Sequence, residues 1–260
     1  MSTRTAGWGR KTPGTMYVKF LIFTSIHIAL AWLFYVVPEI DLWVSRGFFE
    51  PGQGFFFGSA PSQKVSPYLT WATGTFIVGS VALSVINWLR SRKPSPKKFI
   101  LVPNRHLAFL LLCLAIGPGF LINFILKSHW GRARPNALVE FGGTKEFSPA
   151  YVISDQCKKN CSFASGDAAI GYFALLFLFI VRKTTIRVAV SATLLGTTIG
   201  LIRIAQGAHF LSDVVFAGFL TVSVGWGLSF FMLRRDLTSH GDSPEACVDA
   251  PATLAAQELP

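Results

Sequence analysis

Long apolar blocks recur along this chain, each about as long as the roughly 20 residues that an α-helix needs to cross a bilayer. Lipid-exposed backbone must satisfy its own hydrogen bonds, so we predict these blocks to be helical spans. The six blocks are Tyr17–Val37, Tyr68–Leu89, Phe99–Leu126 with a kink near Gly117-Pro118, Asp167–Val181, Val188–Ile204 and Phe210–Leu233. Only 14% of the residues are charged, whereas soluble domains carry about a quarter. The sequence predicts an all-α, polytopic membrane bundle at residues 17–235, between an N-terminal tail (1–16) and a disordered C-terminal tail (236–260).

The net charge of +11 raises nucleic-acid binding as one interpretation. The basic residues, however, cluster at the ends of the predicted helices, which favours a topological role and predicts no nucleic-acid partner. They form four segments, namely the N-terminal Arg4–Lys19, the loop Arg90–Lys98, the turn Arg182–Arg187 and the pair Arg234-Arg235. With six spans these segments lie on one side, which the positive-inside rule assigns to the cytoplasm. Both termini are therefore expected in the cytoplasm.

The cysteines of "QCKKNC", Cys157 and Cys161, lie on the opposite side of the membrane in this topology. In an oxidising compartment they could close a small disulfide loop. Free thiols remain the alternative, whereas a metal site would need more ligands nearby.

Three polar stretches meet the membrane at this same non-cytoplasmic face. They are "KSHWGRARP" (Lys127–Pro135), "SFASGDAA" (Ser162–Ala169) and "RIAQGAHFLSD" (Arg203–Asp213). Ionisable residues that border membrane spans are costly, and by default they indicate a functional site.

Two of the stretches carry groups that suit a phosphate ligand. Lys127 and Arg134 are seven residues apart, on one face of a continuous helix unless Gly131 interrupts it, and two fixed cations suit a dianion. Ser165 and Gly166 open a predicted helix, whose free N–H groups and positive dipole end also attract phosphate.

The third stretch carries a possible nucleophile. His209 and Asp213 stand at i and i+4, one above the other on a helix. A carboxylate bonded to one imidazole nitrogen fixes the tautomer and leaves the other nitrogen free to attack or to take a proton. Structural alternatives exist for each cluster, since Lys127 could be an interfacial anchor, Ser165 a simple N-cap, and Arg203 part of an ion network with His209 and Asp213.

Together the three stretches resemble the signature of the type 2 phosphatidic acid phosphatase (PAP2) superfamily, which shares its site with the vanadium haloperoxidases. That signature is Lys, six residues, Arg-Pro; then Pro-Ser-Gly-His; then Ser-Arg, five residues, His, three residues, Asp. Lys127 to Arg134-Pro135 matches the first part, and Arg203, His209 and Asp213 match the third, with Ile202 in place of Ser. Ala164-Ser165-Gly166-Asp167 stands where Pro-Ser-Gly-His is expected. The resemblance covers roughly Phe99–Arg235 as a PAP2-like core.

This resemblance implies a phosphatase that works without a metal or cofactor. His209 would be the nucleophile that forms a phosphohistidine, and Asp213 would orient it. The groups that would hold the phosphate are Lys127, Arg134, Ser165, Gly166 and Arg203.

Asp167 stands where the family has a His that protonates the leaving oxygen. An ordinary Asp is ionised at neutral pH and could not do so. Three interpretations stay open. Burial and bound phosphate could make Asp167 a general acid; it could position a water or a sugar hydroxyl; or the site could be inactive.

The acidic residue after "CKKNCSF" resembles the bacterial lipid A 4'-phosphatase branch of the family, through Cys157, Asn160, Cys161, Ser162 and Phe163. The likeness implies a lipid substrate with a phosphate head group, the bacterial inner membrane and a periplasmic active site. Alternative substrates are lipid A 1-phosphate, phosphatidylglycerophosphate, phosphatidate and undecaprenyl diphosphate. A transporter or a phosphate-binding relic is the non-catalytic alternative, whereas a haloperoxidase is disfavoured because those relatives are soluble.

The remaining aromatic and imidazole side chains receive weaker interpretations. Phe55, Phe56 and Phe57 could line an entry for acyl chains, although an interfacial aromatic anchor is the preferred interpretation. His27 and His106 lie within spans and suit packing, and His129 is unassigned.

Overall fold

The computed structural model describes residues 13–58, 65–91, 102–180 and 186–233, and the regular secondary structure of these residues is helical apart from one short hairpin. The α-helices are α1 (Pro13–Val36), α2 (Glu39–Arg46), α3 (Val65–Ser91), α4 (Asn104–Leu114), α5 (Lys127–His129), α6 (Gly166–Tyr172), α7 (Ile186–Ala205) and α8 (Leu211–Met232). A π-helical segment, Ala115–Leu126, joins α4 to α5, and 3-10 turns occur at Pro135–Ala137, Val139–Phe141 and Phe173–Phe179. The hairpin pairs β1 (Phe49–Glu50) with β2 (Gly54–Phe55) in antiparallel register.

Within the described part of the chain, five helices are long and apolar enough to cross a membrane, and they coincide with five of the predicted spans. They are Tyr17–Val36, Thr70–Arg90, Asn104–His129, Ile186–Ala205 and Leu211–Met232. The third contains Pro118 within its π-helical segment, at the position where the sequence predicts a kink. The prediction of an all-α membrane bundle is therefore confirmed.

The remaining predicted span, Asp167–Val181, corresponds to the shorter apolar stretch Gly166–Phe179. Its α-helical and 3-10 halves of 7 residues each reach roughly 25 Å at about 1.5 and 2.0 Å per residue. A bilayer core is about 30 Å thick. Residues 181–185, which follow this stretch, lie outside the described residues, so a sixth crossing stays a prediction.

Most of the basic segments used to predict orientation lie outside the described residues, within the ranges 1–12, 92–101, 181–185 and 234–260. The same holds for both predicted tails, apart from the start of α1. The orientation of the bundle and the boundaries of the tails stay predictions.

Helix α6 lies against α7 and α8, and small residues allow the close approach. A Cβ on Gly171 would lie 2.8 Å from the Cα of Gly196, and one on Gly200 would lie 2.2 Å from the side chain of Val214. The hydrophobic effect does not drive helices together within lipid, so close van der Waals contacts at small residues are a main source of helix association. They hold the N-terminus of α6, in the stretch Ser162–Ala169, beside the N-terminus of α8, where the stretch Arg203–Asp213 ends.

The segment between the first two spans folds back over the same end of the bundle. Phe55 of β2 is buried and packs against Gly207, whose φ of +64° and closeness to the ring leave no room for a side chain. Phe56 and Phe57 are 58% and 45% exposed. Phe55 is thus a packing residue beneath the α7–α8 turn, while the two exposed rings still suit an interfacial anchor.

Two histidines outside the predicted site, His27 and His129, have local partners. His27 stacks on Phe219 and is hydrogen-bonded through Nε2 to the Tyr151 hydroxyl, at 2.8 Å, which agrees with a packing role. His129 is exposed, and its Nδ1 lies 2.9 Å from the Ile125 carbonyl oxygen of its own helix.

Candidate active site

The three polar stretches come together at one end of the bundle. The Ser165 N–H donates to the Asp213 carbonyl at 3.1 Å, which joins the start of α6 to the start of α8. A Cβ on Gly166 would lie 3.3 Å from Lys127 Nζ, so the long third span also ends here. The convergence expected from the sequence is therefore present in the fold.

Lys127 follows directly on the π-helical segment. Within that segment Asn123 donates from Nδ2 to the Pro118 carbonyl, at 2.7 Å, and its Oδ1 faces Gly166. Widened π turns are frequent at functional sites because they re-aim the side chains that follow. Here the widened turn places the half-buried Lys127 against the N-terminus of α6.

Lys127 and Arg134 do not share a helical face, because the helix is interrupted at Gly131, which is the alternative that the sequence left open. Helix α5 ends at His129, and Gly131 has a φ of +72°. A Cβ there would lie 1.5 Å from the Ser154 carbonyl oxygen, so only glycine fits this turn. The turn ends the helix and returns Arg134 to the site on extended backbone.

His209 is fully buried and presents one free ring nitrogen. Its Nδ1 lies 2.8 Å from the Ser162 carbonyl oxygen, and Nε2 has no hydrogen-bond partner among the residues that the structure describes. Since a carbonyl only accepts, Nδ1 must carry the proton and Nε2 must hold a lone pair. Burial lowers the pKa of His209 to about 4, with the charges of Lys127 and Arg134 acting in the same direction and Asp213 against them. The imidazole is therefore neutral at physiological pH.

His209 and Asp213 are not stacked on one helix, contrary to the i, i+4 interpretation. Phe210 is the N-cap of α8, so His209 precedes the helix and Asp213 occupies its first turn. Asp213 Oδ2 accepts from the Phe210 N–H at 2.8 Å and lies 3.6 Å from His209 Nδ1. The carboxylate thus influences the imidazole mainly by its charge, while Ser162 holds the Nδ1 proton.

Ser162 connects the nucleophile candidate and the carboxylate. Its carbonyl accepts from His209, and its hydroxyl donates to Asp213 Oδ2. From the sequence, Ser162 entered only as part of the resemblance to a family. Nothing about a serine in a loop indicates that it contacts His209 and Asp213, which lie 47 and 51 positions later in the chain.

The loop that carries Ser162 is closed by a disulfide between Cys157 and Cys161. Arg134 donates to the carbonyl and the side-chain oxygen of Asn160 in this loop, at 3.1 and 3.0 Å. Burial, and then the charge of Arg203, lower the pKa of Arg134 below its ordinary value, yet a guanidinium stays protonated. The loop therefore holds a cation on one side of the site and the imidazole on the other.

Arg203 is paired with Asp167 in this ligand-free structure. Its Nε lies 3.0 Å from Asp167 Oδ2, and both side chains are slightly exposed, at 11% and 13%. A second nitrogen of Arg203 donates to Gln206. In this arrangement the Asp167 carboxyl group lies where an anion could displace it from Arg203.

Ser165 caps helix α6, which confirms the structural interpretation of that residue without excluding a role in binding. Its side chain accepts from the Ala168 N–H at 3.4 Å. The first N–H groups of a helix have no acceptor within the helix. The N–H groups of Gly166 and Asp167 belong to this first turn, which lies beside Lys127. They are therefore suited to binding an anion.

Arg132 and Asp41 form a buried ion pair behind Asp213, and sequence reasoning missed both. Arg132 donates to Asp213 Oδ1 at 2.6 Å and to Asp41 Oδ2 at 2.8 Å, and all three side chains are fully buried. The signal available was a third basic residue inside "KSHWGRARP". Nothing in the sequence indicates that an Asp 91 positions earlier is its partner.

The groups that line the candidate phosphate site are the three cations Lys127, Arg134 and Arg203, the exchangeable carboxyl group of Asp167 and the neutral imidazole of His209. Asp213, Arg132 and Asp41 lie behind the imidazole. Among the described residues, no cluster of His, Cys, Asp and Glu is arranged to hold a metal ion. Such a set can bind an oxyanion and direct one nucleophilic nitrogen at it.

The chain matches the model of the PAP2 superfamily over residues 107–236. A lipid A 4'-phosphatase of Francisella tularensis subsp. novicida is 35% identical over 214 residues, covering 79% of this chain and 92% of that protein. Proteins with the same name from Rhizobium leguminosarum and Rhizobium etli are 34% and 31% identical, covering 72% and 78% of this chain and 84% and 83% of their own lengths. No solved structure matches the chain significantly. With half of its length matched and these relatives covered almost end to end, the chain belongs to the PAP2 superfamily and is a phosphoric monoester hydrolase of the membrane.

Proposed function

We propose that this protein hydrolyses the 4'-phosphate of lipid A at the periplasmic face of a bacterial inner membrane, through a phosphohistidine on His209. The observation that carries the mechanism is the buried imidazole, whose Nδ1 proton is held by Ser162 and whose Nε2 has no partner. The names of three relatives at 31–35% identity support the substrate.

In the first step Nε2 of His209 attacks phosphorus while the bond from phosphorus to the sugar oxygen breaks. Negative charge is spread over three phosphoryl oxygens in the transition state. Lys127, Arg134 and Arg203 supply cations for those oxygens, and fixed cations in a site that excludes water stabilise such charge far better than solvent does. The imidazole becomes positively charged as it bonds to phosphorus, and the carboxylate of Asp213 offsets that charge.

Asp167 supplies the proton for the departing sugar oxygen. Bound phosphate takes the place of the Asp167 carboxylate on Arg203, and repulsion between the two anions favours uptake of a proton by Asp167. The neutral acid then donates that proton to the leaving alcohol. This order of events fits the ion pair of Arg203 with Asp167 in the ligand-free structure.

The second step returns the enzyme to its starting state. The Asp167 carboxylate, now ionised, accepts a proton from a water molecule as that water attacks the phosphohistidine. The bond between phosphorus and Nε2 breaks and inorganic phosphate leaves. Asp167 then returns to solvent the proton that it took up when the substrate bound, and its carboxylate pairs again with Arg203.

Two features support a periplasmic site with both termini in the cytoplasm. The disulfide of Cys157 and Cys161 lies beside the site, and disulfides persist in the bacterial periplasm rather than in the cytoplasm. The basic segments of the sequence favour the opposite side for the cytoplasm.

Mass spectrometry of lipid A from cells with and without this protein tests the proposal. We expect lipid A to lose one phosphate, from the distal sugar, only when the protein is present, and not with His209→Ala. Phosphate loss from the 1-position would correct the substrate, and so would release only from phosphatidate, phosphatidylglycerophosphate or undecaprenyl diphosphate by purified protein. Binding of vanadate without turnover of any lipid would identify a relic and reject the enzyme mechanism.

A further inference from the structure

Arg132 is the most completely enclosed cation among the described residues. Its guanidinium donates to the Ser148 carbonyl at 2.8 Å, to the Ser212 hydroxyl at 2.8 Å, to Asp213 and to Asp41. The ring of Phe210 covers it at 4.2 Å from the ring centre. A guanidinium is planar and presents its N–H donors in fixed directions. Contacts to several acceptors at once therefore fix its orientation and that of the carboxylates it contacts.

Asp41 completes this network from a distant part of the chain. It lies in α2, is fully buried, and accepts from the backbone N–H of Ser212 at 2.8 Å as well as from the Ser212 hydroxyl and Arg132. Burial raises the pKa of Asp41, which shows how costly its charge would be without these donors. The carboxylates of Asp213 and Asp41 outweigh the effect of burial on Arg132 and raise its pKa.

Stability alone does not account for this arrangement. Apolar residues of similar volume often stabilise a fold as well as a buried ion pair does, or better. The network also contacts the catalytic machinery at one defined place, the Asp213 carboxylate. Arg132 donates to Oδ1 of that carboxylate. The other oxygen, Oδ2, accepts from the Ser162 hydroxyl and the Phe210 N–H and lies 3.6 Å from His209 Nδ1.

We propose that Arg132 and Asp41 are positioning residues, which lock the Asp213 carboxylate in one rotamer and thereby fix the direction of His209 Nε2. Asp41 does so by aiming the guanidinium and offsetting its charge. The inference rests on the proposed role of His209 as the nucleophile. Neither residue touches the phosphate, so substrate binding should not depend on them.

The two residues should move the titration of His209 in opposite directions. The charges that face this imidazole are Asp213, Lys127 and Arg134, with Arg132 and Asp41 behind the carboxylate. Loss of the Arg132 charge leaves Asp213 more able to stabilise the imidazolium. Loss of the Asp41 charge leaves Arg132 less opposed and has the reverse effect. A residue that only supports the fold would give no such pair of opposite shifts.

The experiment compares purified Arg132→Gln, Asp41→Asn and the double variant with wild type, using lipid A and an aryl phosphate. We expect each single variant to lower kcat about 10- to 100-fold, as small misalignments of reacting groups do, while KM stays within about twofold. The acid limb of the kcat/KM profile should move up in pH for Arg132→Gln and down for Asp41→Asn. In the double variant the loss should be smaller than the product of the two single losses, because the residues act as a unit. Asp155→Asn, at an exposed carboxylate of the same end, is the matched control and should behave as wild type.

The outcomes separate this inference from the function on which it rests. If wild type releases no phosphate from any substrate, the proposed function is wrong. If wild type is active but the single variants keep its kcat, or their acid limbs move together or not at all, the positioning role is wrong. Should Arg132→Gln fail to fold in detergent, the pH profile of Asp41→Asn decides alone, and an unmoved or raised limb overturns the proposal.

Discussion

Replacing Gly166 with alanine tests whether phosphate binds between Lys127 and the start of α6. The new methyl group would lie 2.6 Å from Asn123 Oδ1 and 3.3 Å from Lys127 Nζ. The first distance is well below contact distance, and Asn123 is held by its own hydrogen bond to Pro118. The methyl group would therefore push on the side chains that line the proposed binding site.

The expected magnitudes follow from this geometry. Overpacking destabilises a fold by about 1–3 kcal/mol. Alanine also restricts the unfolded chain more than glycine does, which stabilises the fold by about 0.4–1 kcal/mol. The free energy of unfolding should therefore fall by roughly 1–2 kcal/mol. The effect on catalysis should be larger, because the methyl group fills space that a phosphoryl oxygen needs. A displacement of about 1 Å is worth about 100-fold in kcat/KM, which corresponds to about 2.7 kcal/mol.

Phosphate release from lipid A in detergent micelles, vanadate inhibition and thermal unfolding together measure these effects. Gly227→Ala is the control, since a Cβ there meets nothing within 4 Å and the residue lies in α8. The control should keep full activity and gain slight stability. If Gly166→Ala retains wild-type kcat/KM and vanadate affinity, phosphate does not bind at the N-terminus of α6.

The remaining predictions concern proton transfer, pH and the disulfide. Asp167→Asn should cripple turnover of lipid A, whose leaving alcohol needs a proton, and should spare an activated aryl phosphate. Burial lowers the pKa of His209 to about 4, so the acid limb of kcat/KM should lie below pH 6.5. Folding stability should also fall as pH drops from 6.5 towards 4. In this pH range the His209 imidazole binds a proton in the unfolded chain but stays neutral in the folded protein. Reduction of Cys157–Cys161 should loosen the loop that holds Arg134 and raise KM several-fold, as should Cys157→Ser.

Each of these predictions has a result that contradicts it. Equal losses on both substrates would remove the general-acid role of Asp167. An acid limb at or above pH 6.5, in profiles measured with a buffer series of constant ionic strength, would mean that His209 is solvated or stabilised as an imidazolium. Unchanged KM in reduced protein, with the thiols of Cys157 and Cys161 titrated to confirm reduction, would show that the loop keeps its shape without the disulfide.

The spans and the three polar stretches could be predicted because their signals are local. A block of apolar residues marks a helix such as Leu211–Met232 wherever it packs, and the spacing of Lys127, Arg134, Arg203, His209 and Asp213 is read directly from the chain. Bringing those residues to one face required only the alternation of spans across the membrane.

Two details of the site depend on a single residue that alters the path of the backbone. Gly131 has a left-handed conformation with no room for a side chain beside Ser154, and it lies just beyond the end of the third span, so Arg134 is not on the helix. Phe210 caps α8, so His209 lies before the helix and not above Asp213. Helical periodicity cannot reveal either event, since both depend on where a helix ends.

The buried ion pair of Asp41 and Arg132 could not be predicted from the sequence for a different reason. Its partners are far apart in the chain, and α2 reads as part of an ordinary polar loop. Only the fold of that loop back over the bundle brings Asp41 to Arg132. The same argument holds for Ser162, whose contacts with His209 and Asp213 depend on the path of the disulfide loop.

Trapping the phosphorylated enzyme during turnover of an aryl phosphate tests most directly whether His209 is the nucleophile. An alkaline quench preserves phosphohistidine, and mass spectrometry of the peptides locates the modification. We predict one phosphoryl group on the peptide that contains His209 in wild type, and neither modification nor phosphate release in His209→Ala. A phosphoryl group on another side chain, or full activity of His209→Ala, would contradict the role of His209 as the nucleophile.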